Sequence, residues 1–186
     1  MKNMKWLLPV FVVVALVQLA VPAGMIVRRE ITLKEGKAYK FHTAPVDPYD
    51  AFRGRYVALS LEPNSVAVPA NSNFEYRSKV YVTLEEGPDG FARFTGATIE
   101  PPVGRDYIKA DSWGSYPAGK LTLRLPFDRF YMEESAAPKA EKAYREHSRR
   151  GQQDAYVTIR VRNGFAVLEN LYVAGKPITE FVREQK

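Results

Sequence analysis

The stretch AYVTIRVR (155–162), NG (163–164) and FAVLENLYVA (165–174) decides the fold. Val157, Ile159 and Val161 alternate with Thr158, Arg160 and Arg162, the period of two that puts one face of a strand in a core and the other in water. Asn163 and Gly164 both accept the positive φ that a type I′ turn demands, and the right-handed twist of paired strands selects that turn. The segment therefore reads as a β-hairpin, which makes the chain an antiparallel β protein in this part.

The same alternation recurs on the N-terminal side of this hairpin. Val57, Leu59 and Leu61 read as one strand, Val80, Val82 and Leu84 as another, and Leu121, Leu123 and Leu125 as a third. Glu30–Leu33 and Ala38–Thr43, joined by Lys34-Glu35-Gly36, read as an earlier strand pair, and Phe91–Ile99 as a strand entered from the turn Gly87-Pro88-Asp89-Gly90. Ser135 to Arg150 reads as the domain's one helix: Ala136, Ala137, Ala140, Ala143, Tyr144 and His147 recur every three or four residues. Pro138 suits its first turn, Glu141–Arg145 and Glu146–Arg150 are i,i+4 pairs, and Gly151 can close it. Ile99 to Gly119, rich in proline, glycine and aromatics, reads as a long ordered loop. Seven or eight short strands and one helix predict a barrel-like or sandwiched antiparallel sheet plugged or flanked by that helix.

Ahead of this domain, Trp6 to Val27 carries no charge. As a helix it would span roughly 33 Å, the thickness of a bilayer's hydrocarbon layer. Gln18 is its one strongly polar residue, Pro9 falls in the first turn, and Pro22 is a candidate kink or stop. The organisation that follows is an anchor over residues 1–28, contacting membrane lipid through residues 6–27, and a β-rich domain over residues 29–186. Lys2 and Lys5 ahead of the apolar run also fit the n-region of a cleavable signal peptide, with Val21-Pro22-Ala23 as the cleavage region. Both readings export the domain to the extracytoplasmic side, as a single-pass protein of the cytoplasmic membrane if the anchor is retained. Arg28 and Arg29 offset the two lysines under the positive-inside rule and leave the orientation open.

Composition narrows the function. An apolar fraction of 46% and a charged fraction of 26% belong to a folding chain. The absence of cysteine excludes disulfides, thiolate zinc sites and cysteine nucleophiles. The net charge of +6 is scattered among acids and does not form a stripe, so nucleic-acid binding is not expected. No Walker loop, G-x-G-x-x-G or G-x-S-x-G motif occurs, so no cofactor and no catalytic residue is assigned. His42 and His147 are the two histidines, too few to fill a metal's three or four sites alone, and no metal is assigned.

Two groups remain as candidate binding residues. Asp47, Asp50 and Arg53, just before a strand with Tyr56, can flank a bound group and clamp an anion; they can equally close a turn on themselves, with Asp-Pro initiating it and Gly54 easing entry to the strand. His42 beside Asp47 and Asp50 is a weak metal option. Tyr107, Trp113 and Tyr116 can stack a sugar ring or anchor a partner, and can equally close a loop over the core. These readings leave an interaction domain and an envelope enzyme or glycan-binding module, built on an Asp47/Asp50/Arg53 cleft, both standing.

The stretch APVDPYDAFRGRYVALSLE (44–62) resembles the signature region of the GDYXXLXY family, small membrane-anchored bacterial proteins without an established activity. Gly54, Tyr56 and Leu59 match its motif; Arg55 stands where the motif has Asp, and Leu61 where it has Tyr. Asp128 to Glu134, with Arg129, Phe130 and Tyr131, is similar to the family's second landmark, and Leu168–Pro177 to its closing segment. The resemblance implies a scaffold in preference to a catalyst, because Arg55 replaces what would be the acid or metal ligand. It also implies an integral, multi-pass membrane protein as partner, since family members are commonly encoded beside such proteins. The oligomeric state is left open.

Overall fold

The computed structural model describes residues 4–44, 56–69, 72–116, 119–148 and 154–184. Among these, helix α1 (Met4–Glu35) leads into β1 (Lys37–Ala44), β2 (Tyr56–Ala58), β3 (Ser60–Glu62), β4 (Ser65–Ala67), β5 (Lys79–Glu86), β6 (Ala92–Thr98), β7 (Tyr107–Tyr116), β8 (Lys120–Arg124) and β9 (Arg129–Tyr131). Helix α2 (Ala137–His147) follows, then β10 (Tyr156–Arg162), β11 (Phe165–Val173), β12 (Lys176–Pro177) and helix α3 (Ile178–Glu184).

The hairpin forms where the sequence places it. Arg162 pairs with Phe165, and Asn163 and Gly164 take φ of 50° and 75°. Val157, Ile159 and Val161 point inward and are buried. From this hairpin one antiparallel sheet grows in the order β12-β11-β10-β1-β3, and a second runs β4-β8-β7-β5-β6. One core cluster joins them, with Phe41, Val157, Ile159 and Leu171 from the first sheet against Val80, Val82, Ile108 and Leu121 from the second. The sheets are also stitched by the backbone, where Lys109 of β7 donates its amide to the Gly164 carbonyl in the hairpin turn. The result is the expected mainly β architecture, a nearly closed barrel-like sheet preceded by a long apolar helix.

Four expectations are corrected. Glu30–Leu33 is not a strand but the last turns of α1, which continues through Pro22 to Glu35. Propagating an existing helix costs far less than nucleating a strand pair, and the alternation of Ile31 and Leu33 is too short to compete. Ile99–Gly119 is not one long loop, because it contains the ten-residue strand β7. The inward residues Ala110 and Ser112 are small or polar, so the apolar alternation that marks a strand is muted there. The run Val57–Leu61 divides at Leu59: Val57 pairs with Phe130 of β9, Leu61 with Thr43 of β1, and the Leu59 amide donates to the Asp128 carbonyl. Finally, the domain holds a second helix, α3, which buries Ile178 and Val182 one turn apart against β11 and α2. Seven residues hold too few repeats for a helical pattern to be read.

Helix α2 is shorter than its sequence signal, starting with Pro138 in its first turn and burying Ala137, Ala140, Ala143 and Tyr144. The Tyr144 hydroxyl donates to the Ala44 carbonyl at 2.8 Å, pinning the helix to the end of β1; burial raises its pKa.

Candidate functional sites

Three surfaces carry the residues singled out by sequence. The first is the root of α1. Its residues 6–27 are almost wholly exposed, whereas Thr32, one turn past the apolar run, is buried against the domain. Arg28 lies over the Phe165 ring at 4.3 Å, Arg162 pairs with Glu35 at 3.1 Å, and Arg160 donates to the Gly36 carbonyl. Gly36 is required at this joint, since a Cβ there would run into the Thr32 carbonyl. The apolar helix is thus built into the domain's first sheet over its final turns and does not hang from it by a loop. Beside it opens a groove of about 560 Å³, lined by Arg29, Phe127, Phe130, Tyr131, Phe165 and Leu168 among others. The first four residues of the second landmark, Asp128, Arg129, Phe130 and Tyr131, line this groove. Asp128 and Arg129 pair with each other at 3.6 Å.

The joint is tightened by a polar tie. The Tyr39 hydroxyl donates to Asp106 at 2.7 Å and Lys37 donates to the same oxygen at 3.0 Å. Burial first, and the bond to Asp106 second, push the Tyr39 phenol up to about 12. The Tyr39 hydrogen bond, followed by that of Lys37, holds the Asp106 carboxyl below its usual range. Lys37 is raised in turn, chiefly by its hydrogen-bonding to Tyr39 and Asp106.

The second surface is an open cleft of about 570 Å³ walled by His42, Ser60, Glu62, Asn64, Phe91 and Arg93. It lies where β1 ends, and β1 leads into residues 45–55. The His42 ring stacks on Phe91 at 3.6 Å, and Phe91 meets Tyr156 edge-on. Asp47, Asp50, Arg53, Gly54 and Arg55 lie outside the described residues; of Tyr56 the structure gives the backbone, paired with Tyr131. Among the described residues no three His, Cys, Asp or Glu side chains come together to hold a metal. His147 instead bonds Asp154 through Nδ1 at 2.7 Å and meets Phe181 edge-on.

The third surface is the outer face of the second sheet. Tyr107, Trp113 and Tyr116 all fall on β7, but Tyr107 and Trp113 are six residues apart, about 20 Å along a strand. Tyr107 packs over Gly164 and against Tyr81 at 5.6 Å. Trp113 meets Tyr76 at 5.3 Å, with the guanidinium groups of Arg77 and Arg124 over its ring at 5.2 and 5.1 Å. Tyr116 pairs through its backbone with Lys120. Sequence reading missed Tyr76, Arg77 and Arg124, which have no motif; a turn and a neighbouring strand bring them to Trp113.

Fold and sites together define a β-rich domain preceded, among the described residues, by one helix long and apolar enough to cross a membrane. The chain belongs to the GDYXXLXY family: the family description "GDYXXLXY protein" matches residues 18–171, from the middle of α1 to the penultimate strand. No curated protein and no solved structure matches it.

Proposed function

We propose that this protein is a membrane-tethered, extracytoplasmic interaction domain that works with a multi-pass membrane protein, meeting it at the groove beside the root of α1. The observation that carries this reading is the unbroken helix from Met4 to Glu35, lipid-length and exposed in its first part and fused to the sheet in its last. A groove at that joint sits about 12 Å or less, along the helix, from the end of the apolar run, within reach of the extramembrane loops of a neighbour. Its aromatic lining, with Tyr131 71% exposed, suits a partner's anchor residues.

A photo-crosslinking residue in place of Tyr131, in native membranes, tests this. The reading expects a cross-link to a multi-pass membrane protein that is lost when the substitution is moved to Arg183 on α3. Cross-links to lipid alone, or to a second copy alone, overturn it.

A second reading, an envelope enzyme or glycan-binding module, is favoured by the cleft that His42 and Ala44 line at the end of β1; in sequence, Asp47, Asp50 and Arg53 follow Ala44 closely. Chemical-shift changes at His42 and Arg93 on adding envelope glycan fragments would support it; unmoved signals at saturating glycan would remove it.

A further inference from the structure

The Trp113 cluster is assembled at a conformational cost that the fold itself does not require. Arg77 takes φ of 63°, a left-handed conformation that L side chains other than Asn and Asp rarely adopt. The turn holding it is locked from below. Arg77 donates its amide to the Ser112 carbonyl, and the fully buried Ser112 hydroxyl bonds the Glu75 carbonyl. The Ser78 amide donates to Ser112 Oγ, and the Ser78 hydroxyl to Glu75. A glycine at position 77 would satisfy the same bonds without strain, so the arginine side chain is what the turn presents.

That side chain has company of its own sign. Arg77 and Arg124 both lie over the Trp113 ring, Arg77 also over Tyr76 at 5.4 Å. Asp111, the cross-strand neighbour of Arg124, is paired with Lys79. Among the described residues neither guanidinium has a carboxylate partner. Two cations converging on one indole repel each other, and the aromatic rings hold their planar forks in place; an arriving anion relieves the repulsion and finds bidentate donors already oriented. Trp113 and Tyr76 remain 39% and 60% exposed. Tryptophan, tyrosine and arginine are the residue types that dominate interface hot spots.

We infer that Tyr76, Arg77, Trp113 and Arg124 form a docking site for an acidic segment of a partner protein, its carboxylates received by the two arginines and its chain laid against the two rings. This site is separate from the groove at α1 and stands whether or not that groove binds a membrane protein.

The test uses the full-length chain in detergent with Trp6→Phe, which leaves Trp113 as the single indole. Octaglutamate is titrated at low salt while Trp113 emission is followed. A saturable change is expected, weakened by added salt, with a dissociation constant at least about tenfold higher in Arg124→Gln. Arg77→Gly is expected to lose binding similarly while its melting temperature stays level or rises, because glycine adopts the turn freely. No saturable change with octaglutamate overturns the proposal, as does equal binding by the arginine variants. So does a response to oligogalacturonate or phosphatidylglycerol vesicles but not to the peptide. A lowered melting temperature in Arg77→Gly would show that the arginine serves the fold, and would overturn it too.

Discussion

The β10–β11 hairpin and strand β7 touch at Gly164, yet they hold the barrel by different means. The hairpin fills its inner face with Val157, Ile159, Val161 and Leu171, and its stability is a matter of apolar volume. Strand β7 points Ile108, Ala110 and Ser112 inward, and from Ser112 onward a hydroxyl takes over from packing. The first arrangement supports the long apolar helix α1; the second frees the far end of its strand to display Trp113. A strand that must bury bulk is constrained on both faces, whereas one that buries small residues can be tied by hydrogen bonds and present its outer face.

Substitutions can break that contrast. Ile159→Ala should cost about 3 kcal/mol by opening a cavity in the centre of the first sheet. Gly164→Ala, which combines a positive φ with a Cβ driven into the Tyr107 ring, should cost roughly 2 to 3 kcal/mol and part the two sheets at their contact. Urea unfolding in detergent measures both. A smaller loss, about 1 to 2 kcal/mol, is expected for Ser112→Ala, which removes the buried hydroxyl's hydrogen bonds with the Glu75 carbonyl and the Ser78 amide. Equal costs for Ile159→Ala and Ser112→Ala would erase the distinction.

The smallest expected effect is the pH dependence of the Lys37–Asp106–Tyr39 tie. Asp106 is depressed in the fold, so its contribution is present above the ordinary carboxylate value of about 4 and is lost as pH falls through its lower folded value. Tyr39 is raised, so its contribution is present below the ordinary phenol value of about 10 and is lost as pH climbs toward about 12. Tyr39→Phe should lower stability by about 1 kcal/mol near neutrality and flatten the alkaline decline. An unchanged alkaline limb would show that the tie contributes nothing.

The same contrast explains what could be read from sequence. The hairpin was legible because a turn that needs positive φ and a run of large apolar residues agree with each other. Strand β7 was not, because Ala110 and Ser112 carry the burial without the apolar signal, and proline and glycine on either side suggest a loop. The end of α1 is hidden in the sequence because a charged run after an apolar one resembles a boundary, while the helix propagates to Glu35 and stops at Gly36. Of the candidate sites, Trp113 was visible as an aromatic; its arginines were not, since Arg77 and Arg124 meet it only through the turn at Glu75–Ser78 and the neighbouring strand.

Because the chain contains no cysteine, single cysteines read position without background. Val17→Cys and Tyr76→Cys, each in the full-length chain and treated with a membrane-impermeant maleimide in cells whose outer barrier has been opened, test the tether and the side of the domain together. Position 76 is expected to label at once, and position 17 to react only after detergent is added. Ready labelling of position 17 in a detergent-free soluble fraction would contradict the tether.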